Sequence, residues 1–139
     1  MSKYVWKRWR AGLVLGLALC SAGPTWGAES ETNIQVSWGK DLFLRYCASC
    51  HGEEGKGNGP AAAALKNPPA NLTTLSLARG GQFPREEIMR FIDGERPVPA
   101  HGPRHMPVWG EVFRNEQSDS AARMRIHSLT AFLESLQQK

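Results

Sequence analysis

The clearest pattern of apolar and polar positions lies near the end of the chain. Apolar residues there follow spacings of four, three, four and three: Ala122, Ile126, Leu129, Leu133 and Leu136. These spacings place all five residues on one face of a helix. The segment from Ser118 to Ser120 offers a hydroxyl that can cap the helix N-terminus. The sequence therefore predicts a long C-terminal helix with one buried face.

The middle of the chain alternates helix signals with residues that break helices. A helix is predicted to begin at Ser37, a capping residue, and to run toward Cys50. A glycine-rich loop follows over residues 52–60. Residues 61–66 then favour a short helix, which the prolines at 68 and 69 stop. This part of the chain is expected to consist of short helices joined by loops.

A further helix signal begins at Pro84, which suits a first helical position, and ends before Gly94. Its buried stripe is formed by Ile88, Phe91 and Ile92. No alternating strand pattern of useful length occurs in the sequence. We therefore expect an all-α fold of about four to five short helices.

The positive charge is concentrated at the start of the chain. The 139 residues carry a formal net charge of +4. Four basic residues and no acidic ones lie within the first 28: Lys3, Lys7, Arg8 and Arg10. The remaining 111 residues hold 13 basic and 13 acidic side chains. Because the body of the chain is balanced, its charge gives no reason to expect a nucleic-acid partner.

The N-terminal pattern is typical of a secretory signal peptide. The basic start is followed by an apolar run from Ala11 to Ala22 and by small residues at Gly27 and Ala28. We predict cleavage close to Ala28, export to the periplasm, and no transmembrane segment in the mature chain. The domain organisation is then a signal peptide at 1–28, a flexible polar lead-in at 29–36 and one domain at 37–139, with no internal repeat.

Two alternatives would keep the protein on a membrane. The apolar run could stay uncleaved as an anchor, although its 12 residues are fewer than the roughly 20 that span a bilayer. Cys20 could instead carry a lipid, because Leu17, Ala18 and Leu19 before it form part of a lipobox. Leu19 is large for the position that precedes a lipidated cysteine.

Cysteine usage points to a cofactor. Removal of the signal leaves two cysteines, Cys47 and Cys50, and His51 follows them directly. C-x-x-C-H is the attachment sequence of c-type haem. Two intervening residues set the sulfurs one helical turn apart, near the two haem vinyl groups, and place the histidine under the iron as its proximal ligand.

Two other interpretations of the cysteine pair are weaker. A two-residue disulfide loop of the thioredoxin type needs a strand–turn–helix context and a longer chain. A zinc site needs further ligands at suitable spacing, and the sequence has no second cysteine pair. Export and the C-x-x-C-H sequence agree with each other, because haem is attached outside the cytoplasm.

The second axial ligand has six candidates in the chain: Met89, Met106, Met124, His101, His105 and His127. Met106 lies in a proline- and glycine-rich stretch, where a loop can cross the open face of a haem. Met89 and Met124 occur at helical spacing, for which core packing is the ordinary role. His101 and His105 remain alternatives as ligands, although loop surface or a contact with a haem propionate suits them better.

Over residues 37 to 136 the chain resembles the class I c-type cytochromes, in the bacterial monohaem branch. Five segments in the same order carry the resemblance: Gly39-x-x-x-Phe43, Cys47-Ala-Ser-Cys50-His51-Gly52, Gly55-Lys-Gly57-Asn-Gly59-Pro60, Met106-Pro107-Val-Trp109-Gly110 and Leu129-x-x-Phe132. The resemblance implies a small cytochrome c fold with its helices wrapped around one covalently bound haem c.

The resemblance also implies a role for each matching residue. Cys47 and Cys50 would form thioethers to the haem, and His51 and Met106 would ligate the iron. The other site residues follow in the same way, with the Pro60 carbonyl accepting a hydrogen bond from His51 and Trp109 closing the pocket. In the family the first and last helices cross closely, which here would place Gly39 at the crossing and pack Phe43 against Phe132.

The implied function is electron transfer without catalysis. We expect a monomeric periplasmic carrier whose partners are redox proteins, such as a dehydrogenase, an oxidase or another cytochrome. The alternative is a haem-bearing electron-transfer subunit of a larger dehydrogenase or oxidase complex. A haem enzyme with an open sixth position, such as a peroxidase, fits less well, because Met106 would fill that position.

Overall fold

The computed structural model describes residues 28–95 and 106–138, and within these ranges all regular structure is helical. The α-helices are α1 (Ala28–Tyr46), α2 (Ala48–His51), α3 (Arg85–Asp93), α4 (Trp109–Glu116) and α5 (Asp119–Ser135). Three short 3₁₀ turns lie between α2 and α3, at Ala62–Ala64, Leu72–Thr74 and Leu77–Arg79. The predicted all-α fold is confirmed. No described helix is long and apolar enough to cross a membrane.

The helices α1 and α5 form the centre of the fold and cross at Gly39. A Cβ atom on Gly39 would lie 2.0 Å from the carbonyl oxygen of Ser128 and 2.9 Å from the Cβ atom of Phe132. One turn further along each helix, the rings of Phe43 and Phe132 meet with their centroids 5.3 Å apart. Both phenylalanines are buried. Glycine is therefore required at the crossing because backbone occupies the space of any side chain.

The Gly39→Ala substitution is expected to destabilise the protein by at least about 2 kcal/mol, because the helices must separate to admit one methyl group into a packed core. Denaturant unfolding of the holoprotein followed by far-UV circular dichroism measures this loss. The Ser37→Ala variant is the control, since Ser37 is exposed on the same helix. Equal stabilities for the two variants would contradict the close crossing.

The predicted start of the first helix was wrong. Helix α1 begins at Ala28 and includes residues 29–36, which we expected to form a flexible lead-in before a cap at Ser37. No proline or glycine interrupts this polar stretch, so nothing in it prevents helix formation. Most of its residues are exposed, whereas Val36 packs against the core. The polar composition therefore marks a solvated helix face.

Helix α3 ends as predicted, with Gly94 in the left-handed conformation at φ +89°. Of its three expected core residues, Ile92 is buried and Ile88 is half-buried, while Phe91 is 48% exposed. Asp93 at the end of α3 accepts a hydrogen bond from Arg114 of α4 at 2.6 Å. The C-terminal ends of α3 and α4 are therefore joined. Residues 96–105, between the two helices in sequence, lie outside the described part of the chain.

Helix α5 matches its predicted pattern. The Ser118 hydroxyl accepts a hydrogen bond from the Ala121 N–H at 3.3 Å and caps the helix. The apolar face is buried from Ala122 to Leu133, and Leu136 is half-buried. Met124 was expected to pack in the core, but it is 56% exposed because it faces away from that stripe.

A glutamine after α5 connects the C-terminal segment to the middle of the chain. The Gln137 side-chain amide donates to the carbonyl oxygens of Leu72 and Leu133, and its oxygen accepts from the Ser76 N–H at 2.9 Å. The Gln138 N–H donates to the Thr73 carbonyl oxygen at 2.9 Å. These bonds fix the 3₁₀ turn at Leu72–Thr74 against α5.

Candidate functional site

The two cysteines and the histidine lie where α1 passes into α2. The Cys47 N–H continues the helical pattern by donating to the Phe43 carbonyl oxygen, and the N–H groups of Cys50 and His51 both donate to the Cys47 carbonyl oxygen, at 3.1 and 2.9 Å. This tight turn holds the three side chains together. Both cysteines carry free thiols and are half-buried. The backbone therefore presents two thiols and an imidazole within one turn of helix.

His51 is oriented by a backbone carbonyl on the far side of the loop. Its Nδ1 atom lies 3.1 Å from the Ala70 carbonyl oxygen. Because a carbonyl oxygen can only accept, Nδ1 carries the proton and Nε2 keeps its lone pair for a metal. Burial lowers the pKa of His51 and outweighs the hydrogen bond to Ala70, which acts to raise it. Burial therefore keeps the imidazole neutral.

The assignment of Pro60 as the partner of His51 was wrong. Pro60 lies on another surface, beside Ser49 and Asn58, away from the cavity that His51 faces. The chain returns to the imidazole ten residues later, directly after the prolines at 68 and 69. These prolines hold the returning segment extended, so that the Ala70 carbonyl reaches Nδ1.

The glycine-rich loop allows this return. The Gly57 N–H donates to the His51 carbonyl oxygen at 2.7 Å, and Gly57 has φ +79°. A Cβ atom there would lie 2.4 Å from the carbonyl oxygen of Pro69. Gly57 therefore lets the segment that orients His51 pass directly over the loop.

One apolar cavity of about 250 Å³ collects the predicted ligands. Cys47, Cys50, His51, Met106 and Trp109 all lie on its wall. The remaining wall residues are almost all apolar: Phe43, Tyr46, Leu65, Asn67, Pro68, Pro69, Ala70, Leu72, Leu75, Ile88, Phe91, Ile92, Pro107, Leu129 and Leu133. Phe91, although exposed at one side, belongs to this wall. The structure thus brings Met106 to the cavity of His51 across 55 residues of sequence.

An aromatic cluster closes the end of the cavity where α4 begins. The Trp109 ring stacks on Phe113 with centroids 6.1 Å apart and meets Tyr46 edge-on at 5.4 Å. Tyr46 also meets Phe113 edge-on at 5.2 Å. Trp109 lies on the cavity wall as the resemblance implied, and Tyr46 is a wall residue that the sequence did not single out.

Burial raises the pKa of the Cys47 thiol to about 12, with a further contribution from the neighbouring Cys50. A thiolate is disfavoured in this apolar wall because it would lose its hydration. Cys47 is therefore a protonated thiol at neutral pH.

The cavity suits a haem on several grounds. Its walls are apolar, two thiols lie at one side with one imidazole, and a thioether is available from Met106. The imidazole is neutral with its Nδ1 proton engaged, which is the state of a metal-ligating histidine. Two other candidate ligands, His101 and His105, lie outside the described residues. Met89 packs against the hydrophobic core.

The comparison with known families agrees with this geometry. A family model described as cytochrome c oxidase, cbb3-type, subunit III, matches residues 35–123. The chain belongs to this family. It is therefore a c-type cytochrome that binds haem c covalently and transfers electrons through its iron. No curated protein and no solved structure matches the chain.

Two site residues of this cytochrome escaped the sequence analysis. Ala70 acts through its backbone carbonyl, so its side chain gives no signal, although the two prolines before it mark an extended segment. Tyr46 directly precedes Cys47, and the sequence pattern does not distinguish it from an ordinary helix residue. Its hydrogen bond to Glu116 spans 70 residues of sequence, which no local pattern can reveal.

Proposed function

We propose that the protein is an exported monohaem cytochrome of class I that carries single electrons between redox proteins. Cys47 and Cys50 would form the thioethers, and His51 and Met106 would ligate the iron. The observation that carries the proposal is the placement of these four side chains on one apolar cavity. Trp109 closes that cavity at the start of α4.

The chain's own residues set the properties of the couple. The haem iron, when bound, supplies a one-electron couple between ferrous and ferric states. The His51 Nδ1–H donates a hydrogen bond to the Ala70 carbonyl oxygen. This bond fixes the orientation of the ring and strengthens Nε2 as a ligand. Met106 offers a soft, neutral sulfur, which favours the ferrous form and raises the potential relative to two histidine ligands.

The apolar wall acts in the same direction as Met106. Leucine, isoleucine and aromatic side chains of α1, α3 and α5 exclude water from the cavity, and a dry site disfavours the extra positive charge of the ferric state. The crossing of α1 with α5 holds two of these walls rigidly together. Little rearrangement is then needed when the electron arrives or leaves.

Export fits the chemistry of the site. Residues 1–28, most of which lie outside the described part of the chain, have the layout of a signal peptide. Export would deliver the two free thiols to the periplasm, where haem is attached. Electrons would then pass through a small, transient contact near the cysteines and the Met106 segment.

A second candidate function is a fixed electron-transfer subunit of a larger complex. The description of the matching family as a subunit of an oxidase favours it. Native gel electrophoresis of a mild-detergent extract, stained for haem, separates the two. Migration at the size of this chain supports the carrier, whereas migration with a large assembly supports the subunit.

Carbon monoxide tests whether the sixth position is closed. We expect the reduced holoprotein at neutral pH to bind carbon monoxide slowly or incompletely, because Met106 must first leave the iron. The visible spectrum after addition of carbon monoxide measures this. Rapid and complete binding would contradict the carrier with two protein ligands and would favour a haem enzyme.

A further inference from the structure

A hydrogen-bonded group behind the cavity joins three helices. The Tyr46 hydroxyl at the end of α1 donates to Glu116 Oε2 of α4 at 3.1 Å. Arg125 of α5 donates to the same oxygen at 2.6 Å and places its guanidinium 5.2 Å from the centre of the Phe113 ring. The Arg125 side chain is only 12% exposed, so its position is well defined. One carboxylate thus ties α4 to both α1 and α5.

Tyr46 is the member of this group that reaches the cavity. Its ring lies on the cavity wall and contacts Trp109, the first residue of α4. Its hydroxyl bonds Glu116, the last residue of the same helix. A single side chain therefore contacts both ends of α4 and opposes rotation of the helix against α1.

The placement of α4 decides where the Met106 sulfur lies. Met106 precedes α4 by three residues, and Pro107 between them restricts the connection. His51, the opposite ligand, is five residues after Tyr46 along α1 and α2. A shift of α4 relative to α1 therefore changes the distance between the two ligands. The ion pair of Asp93 with Arg114 ties α4 to α3, and the bond of Arg125 to Glu116 ties it to α5. Tyr46 provides the hydrogen bond from α1.

We propose that Tyr46, held by Glu116 and Arg125, is a positioning residue that keeps Met106 on the haem iron. The inference rests on the proposed Met106 ligation. Loss of the Tyr46 hydroxyl leaves the aromatic packing in place but frees α4 to move, so Met106 leaves the iron more often. Glu116 accepts the hydrogen bond of Tyr46, so removal of its carboxylate should also let Met106 leave the iron more often.

The test measures how often the Met106 sulfur leaves the haem iron. Imidazole can bind the ferric iron of the holoprotein only after Met106 departs, and stopped-flow absorbance follows its binding. We expect Tyr46→Phe to raise the saturating rate about fivefold, the effect of losing one hydrogen bond. Glu116→Ala, which removes the acceptor of that bond, should raise the rate at least as much. The double variant should be no faster than Glu116→Ala, because no carboxylate is left there for Tyr46 to bind.

Glu134→Ala is the matched control. Glu134 forms an exposed ion pair with Arg85 that joins α5 to α3, away from α4. Removal of the Glu134 carboxylate should leave the rate of imidazole binding unchanged, although it breaks the ion pair between α5 and α3. Denaturant unfolding of each variant separates a local effect on Met106 from a general loss of stability.

Three results would overturn the proposal. The first is an unchanged imidazole rate in both Tyr46→Phe and Glu116→Ala. The second is an equal rise in Glu134→Ala, which would show general loosening of the fold. The third is fully additive effects in the double variant. If wild-type ferric protein lacks the weak charge-transfer band of a thioether ligand, the proposed Met106 ligation fails first, and the role of Tyr46 fails with it.

Discussion

Replacement of Met106 by alanine is expected to lower the reduction potential of the holoprotein by about 0.1–0.3 V, a part of the roughly 0.8 V range that axial ligands set. The thioether favours ferrous iron, and its loss leaves water or a histidine in its place. Potentiometric titration followed in the visible spectrum measures the shift. The variant should also bind carbon monoxide rapidly, because carbon monoxide easily displaces the water that replaces the thioether.

Met124→Ala is the matched control for this prediction. Met124 is also a methionine near the C-terminal half of the chain, but it is 56% exposed on α5 and does not line the cavity. Its removal should leave the potential unchanged. An unchanged potential and spectrum in Met106→Ala would show that another residue ligates the iron, with His101 and His105 as the first candidates to replace in turn.

Replacement of Cys50 by alanine is expected to abolish double covalent attachment of the haem. One vinyl group then stays unreacted, and only the half-buried Cys47 thiol remains to hold the group. Haem staining after denaturing electrophoresis should drop sharply. The absorption band of the reduced pyridine complex of any haem that remains should move to longer wavelength, because a free vinyl group extends the conjugated system.

Ser49→Ala controls for a general effect on the C-x-x-C-H segment. Ser49 lies between the two cysteines, is exposed and does not line the cavity. Its hydroxyl lies 3.9 Å from Cys50 Sγ, but its replacement keeps both thiols. Its variant should stain as strongly as the wild type. A Cys50→Ala protein with wild-type staining and an unshifted pyridine spectrum would contradict a thioether at Cys50.

The sequence predicted most of the helices, and the four candidate ligands that it singled out line one cavity. Helix α5 could be predicted because its buried face repeats at helical spacing over its whole length and Ser118 caps it. Cys47, Cys50 and His51 could be assigned because haem attachment requires a fixed local spacing. Met106 stood out among the methionines because prolines and glycine around it indicate a loop.

Two of the features that the sequence did not predict have the same physical cause, and the third has a local one. The Ala70 carbonyl reaches His51 only because the glycine-rich loop and the prolines at 68 and 69 bring the chain back to it. A backbone carbonyl of this kind gives no signal in the sequence. The contact of Tyr46 with Glu116 depends on how α4 docks on α1. The early start of α1 was missed because polar residues without a buried partner resemble a flexible segment. The first two features are set by tertiary packing, whereas the start of α1 is a local property of a largely exposed helix.

The bonds of Gln137 have a consequence for the order in which the molecule assembles. Gln137 lies 65 residues beyond Leu72, the cavity-wall residue whose carbonyl it binds. The turn from Cys47 to His51, in contrast, is closed by bonds between near neighbours and can form early. A chain that crosses a membrane from its N-terminus presents both thiols and the imidazole while this wall is still open. Attachment can then precede closure, so that the last helix seals the prosthetic group inside.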